Sequence, residues 1–127
     1  VFLLSPGEFA SAEDLKRVLE IIGDLRSSPE YLSPERHDLI VSRVSQAAYF
    51  LSRALLNLGS DFEKYTGPGY ASTSRLGRQN RDMVIDMARF NGKNIASSLE
   101  EAEIYLRKIR VAIENEDLNE LEELISE

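Results

Sequence analysis

Residues 70 to 75 read Tyr-Ala-Ser-Thr-Ser-Arg, so Tyr70, Ser72, Thr73 and Ser74 place four hydroxyls beside the Arg75 guanidinium. Arg78 and Arg81 follow at steps of three and lead into a stretch of helical periodicity. Guanidinium forks, hydroxyl donors and the open N–H groups of a helix N-terminus together make a site for a carboxylate-bearing small molecule. A hydroxyl-rich loop whose arginine caps neighbouring carbonyls explains the same residues equally well. His37-Asp38 is a second candidate. An imidazole can act as acid, base or donor to a carboxylate, and in the first turn of a helix it helps to gather anions. A half-exposed histidine without a chemical role has the same spacing. Asp82 and Asp86, four apart, have the spacing of a carboxylate metal pair, but Arg78, Arg81 and Arg89 favour ordinary charge pairing.

Other chemistries lack their residues. Gly67-Pro68-Gly69 does not have the GxGxxG spacing of a dinucleotide loop and reads as a tight turn, and there is no GxSxG. The 127 residues include no Cys and one His, which argues against a zinc or non-haem iron centre and against disulfides. We therefore expect no metal, and a reducing cytoplasm as the compartment. The opening VFLLSPGEF has no basic n-region, and no apolar run approaches the roughly 20 residues that span a bilayer. The net charge of −7 comes from the end of the chain. Residues 1–99 carry 12 acidic and 12 basic side chains, and residues 100–127 carry 10 and 3. Such a chain is a poor ligand for nucleic acid, and the acidic end reads as a solvated helix face.

The elements that must position these residues are mostly helices. Val1 to Leu4 reads as a short buried strand. Ser11-Ala12-Glu13-Asp14 has a capping-box pattern that starts a helix at Ala12, with Leu15, Val18, Leu19, Ile22 and Leu25 on one face. Ser28-Pro29 stops it, and Glu30-Tyr31-Leu32 suits a second extended segment. Ser33-Pro34 opens a helix expected to run to Leu58, with Ile40, Val44, Ala47, Leu51, Leu55 and Leu58 as its apolar stripe and Gly59 in a left-handed cap. Residues 60 to 80 read as one long irregular stretch. A helix then covers about Arg81 to Glu114, with Leu99, Ala102, Leu106, Ile109 and Ile113 as a heptad-like seam, and a short one covers Leu118 to Ile125. The fold class is mainly α. The longest helix would measure about 50 Å, beyond the reach of a chain whose radius of gyration should be about 14 Å. A second copy covering the overhang is the simplest solution, so a homodimer is expected.

Four segments in order then resemble a known family. Ser33-Pro34-Glu35-Arg36-His37-Asp38, Val44-Ser45, Gly69-Tyr70-Ala71-Ser72-Thr73-Ser74-Arg75-Leu76-Gly77 and Phe90-Asn91 are similar to the C-terminal half of the prephenate and arogenate dehydrogenases. The resemblance implies a long-helix bundle forming an intertwined dimer over residues 34–127, preceded in residues 1–33 by a short β-α-β remnant of a dinucleotide-binding domain. It implies an oxidoreductase of tyrosine biosynthesis that oxidatively decarboxylates prephenate or arogenate with NAD or NADP. The cofactor site and the catalytic histidine would lie outside this chain, which alone should be inactive. By the same resemblance Arg75 grips the substrate carboxylate, with Thr73, Ser74, Ser45, Gln46, Tyr49 and His37 as further substrate-binding residues. Gln46 and Tyr49 stand where the family has histidines. The competing expectation is a non-catalytic helical module for dimerisation or for binding a small carboxylate.

Overall fold

Ser11 opens the first helix by exchanging hydrogen bonds with Asp14. The Ser11 hydroxyl accepts from the Asp14 N–H at 3.1 Å, and the Asp14 carboxylate accepts from the Ser11 N–H at 3.2 Å and its hydroxyl at 2.6 Å. The resulting helix, α1 (Ala12–Asp24), links β1 (Phe2–Leu4) to β2 (Pro29–Tyr31). The two strands pair in parallel, Phe2 opposite Pro29 and Leu4 opposite Tyr31, an arrangement that needs such a crossover. Arg26, at φ 51°, turns the chain out of α1. Within α1 only Ile22 is fully buried; of the expected apolar face, Val18 and the C-cap residue Leu25 stay exposed. The computed structural model describes residues 1–126, in two compact units, Val1–Val41 and Ser42–Glu127. The first unit ends with α2 (Pro34–Val41), where the Ser33 hydroxyl accepts from the Arg36 N–H at 3.2 Å.

The helix expected from Pro34 to Leu58 is helical throughout but not uniform. After α2 the chain forms a π-helical turn over Ser42–Gln46 before α3 (Ala47–Leu58) resumes the ordinary winding. A π turn holds an extra residue and re-phases the helix beyond it. The second unit accordingly buries Ala47, Tyr49, Ser52 and Leu56, whereas Val44, Leu51 and Leu58 of the expected stripe are exposed. Gly59 caps α3, but at φ −96° it is not left-handed. Its missing side chain makes room instead: a Cβ there would lie 2.5 Å from the Tyr70 hydroxyl.

The stretch expected to be irregular is mostly helical as well. A 3₁₀ segment (Ser60–Tyr65), α4 (Pro68–Ser74) and a 3₁₀ turn (Leu76–Arg78) succeed one another. Gly67-Pro68 is the start of α4, with proline in the first turn where its missing N–H costs nothing. These pieces are too short to show a hydrophobic period, which is why the sequence pattern passes over them. Asn80 then caps α5 (Arg81–Glu114), its carbonyl oxygen accepting from the Asp82 and Met83 N–H groups at 2.8 and 3.4 Å. Asn91 departs from helical geometry (φ −127°, ψ 22°) and kinks α5. Asp117 caps α6 (Leu118–Ile125), and the Tyr105 hydroxyl donates to the Leu124 carbonyl to hold α6 on α5. Among the described residues no helix is long and apolar enough to cross a membrane, and no group of three or more His, Asp and Glu is placed to hold a metal ion.

Candidate functional site

Arg75 sits between α4 and the 3₁₀ turn beyond it, and this junction is fastened to α3 at three places. The Tyr70 hydroxyl occupies the space left by Gly59 and donates to the Leu55 carbonyl at 3.3 Å. The Ser52 hydroxyl, on α3, donates to the Thr73 carbonyl at 2.8 Å and accepts from the Gly77 N–H at 2.9 Å. Gly77 itself presses on α3 so closely that a Cβ would lie 2.8 Å from the Arg53 nitrogen. Glycine is needed at 59 and 77 for close approach, with no positive φ at either position.

The junction opens onto a cleft of about 300 Å³ lined by Glu63, Thr66, Tyr70, Ser74, Arg75 and Arg78 together with Ala71. Arg78 is engaged there, its guanidinium 3.4 Å from the Glu63 carboxylate. The Arg75 guanidinium has no hydrogen-bond or ion-pair partner among the described residues. Ser74 is buried, and its hydroxyl has no partner. An exposed, unpaired guanidinium at the mouth of a polar cleft is chemically an anion anchor, and its planar fork fits a carboxylate. Hydride or proton transfer needs other groups.

The remaining expected site residues are spread over the structure. The Thr73 hydroxyl donates to the Gly69 carbonyl at 3.0 Å, within α4. Ser45 is exposed in the π turn. Gln46 accepts from the Asn91 side-chain amide at 2.7 Å, and Asn91 in turn accepts from Asn94 at 2.8 Å. Ser42 and Ser98, with hydroxyls 3.1 Å apart, extend this polar contact between the π turn and α5. Tyr49 is buried edge-on to Phe50, ring centres 5.1 Å apart. None of Ser45, Gln46 and Tyr49 lines the Arg75 cleft. His37 belongs to the first unit, half-buried, with its Nδ1 3.1 Å from the Asp38 carboxylate. Asp86 pairs with Arg89 at 3.1 Å, as surface charge pairing predicts. Sequence reasoning missed Ser52 and the structural part of Asn91. Each leaves a trace: a serine at the buried spacing between Tyr49 and Leu56, and an Asn-Gly pair inside a long helix.

The family described as "Prephenate dehydrogenase, dimerization domain" matches residues 33–127. Among solved structures, prephenate dehydrogenase from Aquifex aeolicus in complex with hydroxyphenyl propionate and NAD⁺ is similar at 27% identity over 95% of this chain, with a TM-score of 0.81. Synechocystis arogenate dehydrogenase has the same fold at 23% identity over 97% of this chain, with a TM-score of 0.79. The chain spans 45% and 48% of the length of these two. No curated protein matches its sequence. The mainly helical architecture is thus that of the C-terminal part of these dehydrogenases, and the chain belongs to the prephenate dehydrogenase dimerization-domain family.

Proposed function

We propose that the protein in full is an NAD- or NADP-dependent oxidoreductase that oxidatively decarboxylates prephenate or arogenate on the way to tyrosine. Residues 34–127 supply the carboxylate anchor and a homodimer interface, and residues 1–33 are the last part of a dinucleotide-binding domain. The observation that carries this reading is the unpaired Arg75 guanidinium at a polar cleft, within a domain of this family. The ligand in the Aquifex relative, a hydroxyphenyl propionate, is the kind of small carboxylate such an anchor takes. Arg75 would orient the substrate through its carboxylate. The cytoplasmic location rests on the cysteine-free sequence.

The start of α1 does not fit a dinucleotide. The helix between the parallel strands, α1, starts with the Ser11–Asp14 capping box, which places a carboxylate at the N–H groups where a pyrophosphate would bind, and no glycine-rich turn precedes it. In this reading cofactor binding and hydride transfer rest on residues other than these. A second reading, a helical module that binds a carboxylate without catalysis, is favoured by Gln46 and Tyr49. The Gln46 amide is held by Asn91, Tyr49 is buried, and neither side chain carries a positive charge as His⁺ does.

The test is cofactor reduction by the full-length protein with prephenate and with arogenate. Activity with either one, and a rise in KM of about tenfold to a hundredfold in Arg75→Ala, is the expected result, since a charge-assisted contact contributes about 1.5–3 kcal/mol. No turnover with either substrate, alongside Arg75-dependent binding of hydroxyphenyl propionate, would leave the module reading in its place.

A further inference from the structure

We propose that Ser52 is the positioning residue of the Arg75 anchor, holding its backbone at the depth and angle that let the guanidinium meet a carboxylate. This rests on the reading of Arg75 as that anchor. Ser52 lies on α3 and does not line the cleft. Its single hydroxyl joins Thr73 and Gly77, the residues two before and two after Arg75. The direction of both bonds is fixed, because a carbonyl only accepts and a backbone N–H only donates. The hydroxyl therefore donates to Thr73 and accepts from Gly77 at the same time.

The segment it bridges has longer bonds of its own. Across the break between α4 and the 3₁₀ turn, the Arg75 N–H reaches the Ser72 carbonyl at 3.4 Å, Arg78 reaches Arg75 at 3.3 Å, and Gln79 reaches Leu76 at 3.2 Å. The bonds to Ser52, at 2.8 and 2.9 Å, are the short ones, and Ser52 is 4% exposed, so water does not compete for them. Gly77 completes the arrangement, since any larger residue would push the segment off the Arg53 backbone. Without the hydroxyl, the Thr73 carbonyl and the Gly77 N–H lose their partner, and the backbone that carries Arg75 must move to find others. A site displaced by a fraction of an ångström binds less well although its anchor residue is still present.

The experiment is a double-mutant cycle in the full-length protein, read as the dissociation constant of hydroxyphenyl propionate by calorimetry. Ser52→Ala is expected to weaken binding about threefold to tenfold when Arg75 is present and to have no further effect in the Arg75→Ala background. A purely structural role would lower affinity equally in both backgrounds, and that result overturns the proposal. Binding that depends on Arg75 but ignores Ser52→Ala overturns it too, and leaves the anchor reading intact. Binding that is absent, or unchanged by Arg75→Ala, sinks the anchor reading and this inference with it. Should Ser52→Ala not fold, Ser52→Cys, similar in shape but a weak donor, replaces it in the same cycle with the same expected coupling.

Discussion

Two glycines show how differently one residue type is used at the residue scale. Gly77 lies against the Arg53 backbone, where a Cβ would sit 2.8 Å from a nitrogen that cannot swing aside, and it also meets Leu56 Cδ1 at 2.9 Å. Gly23, near the end of α1, has nothing within 4 Å of the place a Cβ would occupy. The steric argument and the entropic argument therefore point in opposite directions. Gly77→Ala is expected to destabilise the second unit by about 1–3 kcal/mol through overpacking and to weaken carboxylate binding, because the Arg75 segment is displaced. Gly23→Ala is expected to stabilise α1 by about 0.5–1 kcal/mol, since alanine loses less backbone freedom on entering a helix. Urea unfolding of each variant beside the parent measures both. A Gly77→Ala protein as stable as the parent would mean that the 3₁₀ turn and α3 do not approach so closely in solution.

At the scale of elements, the ends of helices set the pH response. The Ser11 hydroxyl, and then its N–H, hold the Asp14 carboxyl below the usual carboxylate range. In the unfolded chain Asp14 titrates near the ordinary value. The capping box thus stabilises α1 fully above that value, and the contribution is lost as pH falls through the lower folded one. Thermal stability should fall as pH drops below about 4, and Asp14→Asn, which keeps an acceptor but cannot ionise, should remove that part of the dependence. An Asp14 carboxyl resonance titrating at the ordinary value would refute it. Such local caps are also why so much of the fold is legible in the sequence. Ser11 and Ser33 mark α1 and α2 because each cap bonds within three residues of itself. The features that the pattern does not show depend on distant partners. The π turn meets Asn91 and Ser98, which lie 45 and 56 residues further along from Gln46 and Ser42. Gly59 is explained by Tyr70, and the bonds of Ser52 reach 21 and 25 residues ahead. Arg75 could be picked out because a guanidinium among hydroxyls is a local pattern; the clamp that positions it is not.

For the whole molecule, the question is what covers the second unit. In α5, Tyr105 reaches α6 and Ala112 is buried, so this side of the helix is occupied within the chain. One residue further round the helix, Leu106 is 53% exposed and Ile113 57%. Leu99, Ala102 and Ile109 of the same seam are only partly covered. Leaving such a stripe in water forfeits the transfer energy of every residue in it, about 25 cal/mol for each Å². Sequence spacing of three and four along a helix suits a second helix laid beside it. In a two-fold dimer any substitution on the seam occurs twice, so a charge there is doubly unfavourable. Leu106→Asp should therefore convert the protein from twice its monomer mass to the monomer mass at micromolar concentration, while circular dichroism keeps the helical signal. The 127-residue chain, at 14.3 kDa per copy, makes the two states easy to separate by sedimentation. If parent and variant both sediment as single chains, the seam is not a self-association surface and the dimer proposal fails. If both sediment as dimers, the copies meet elsewhere, and the exposed Val44, Leu51 and Leu58 stripe is the next surface to charge.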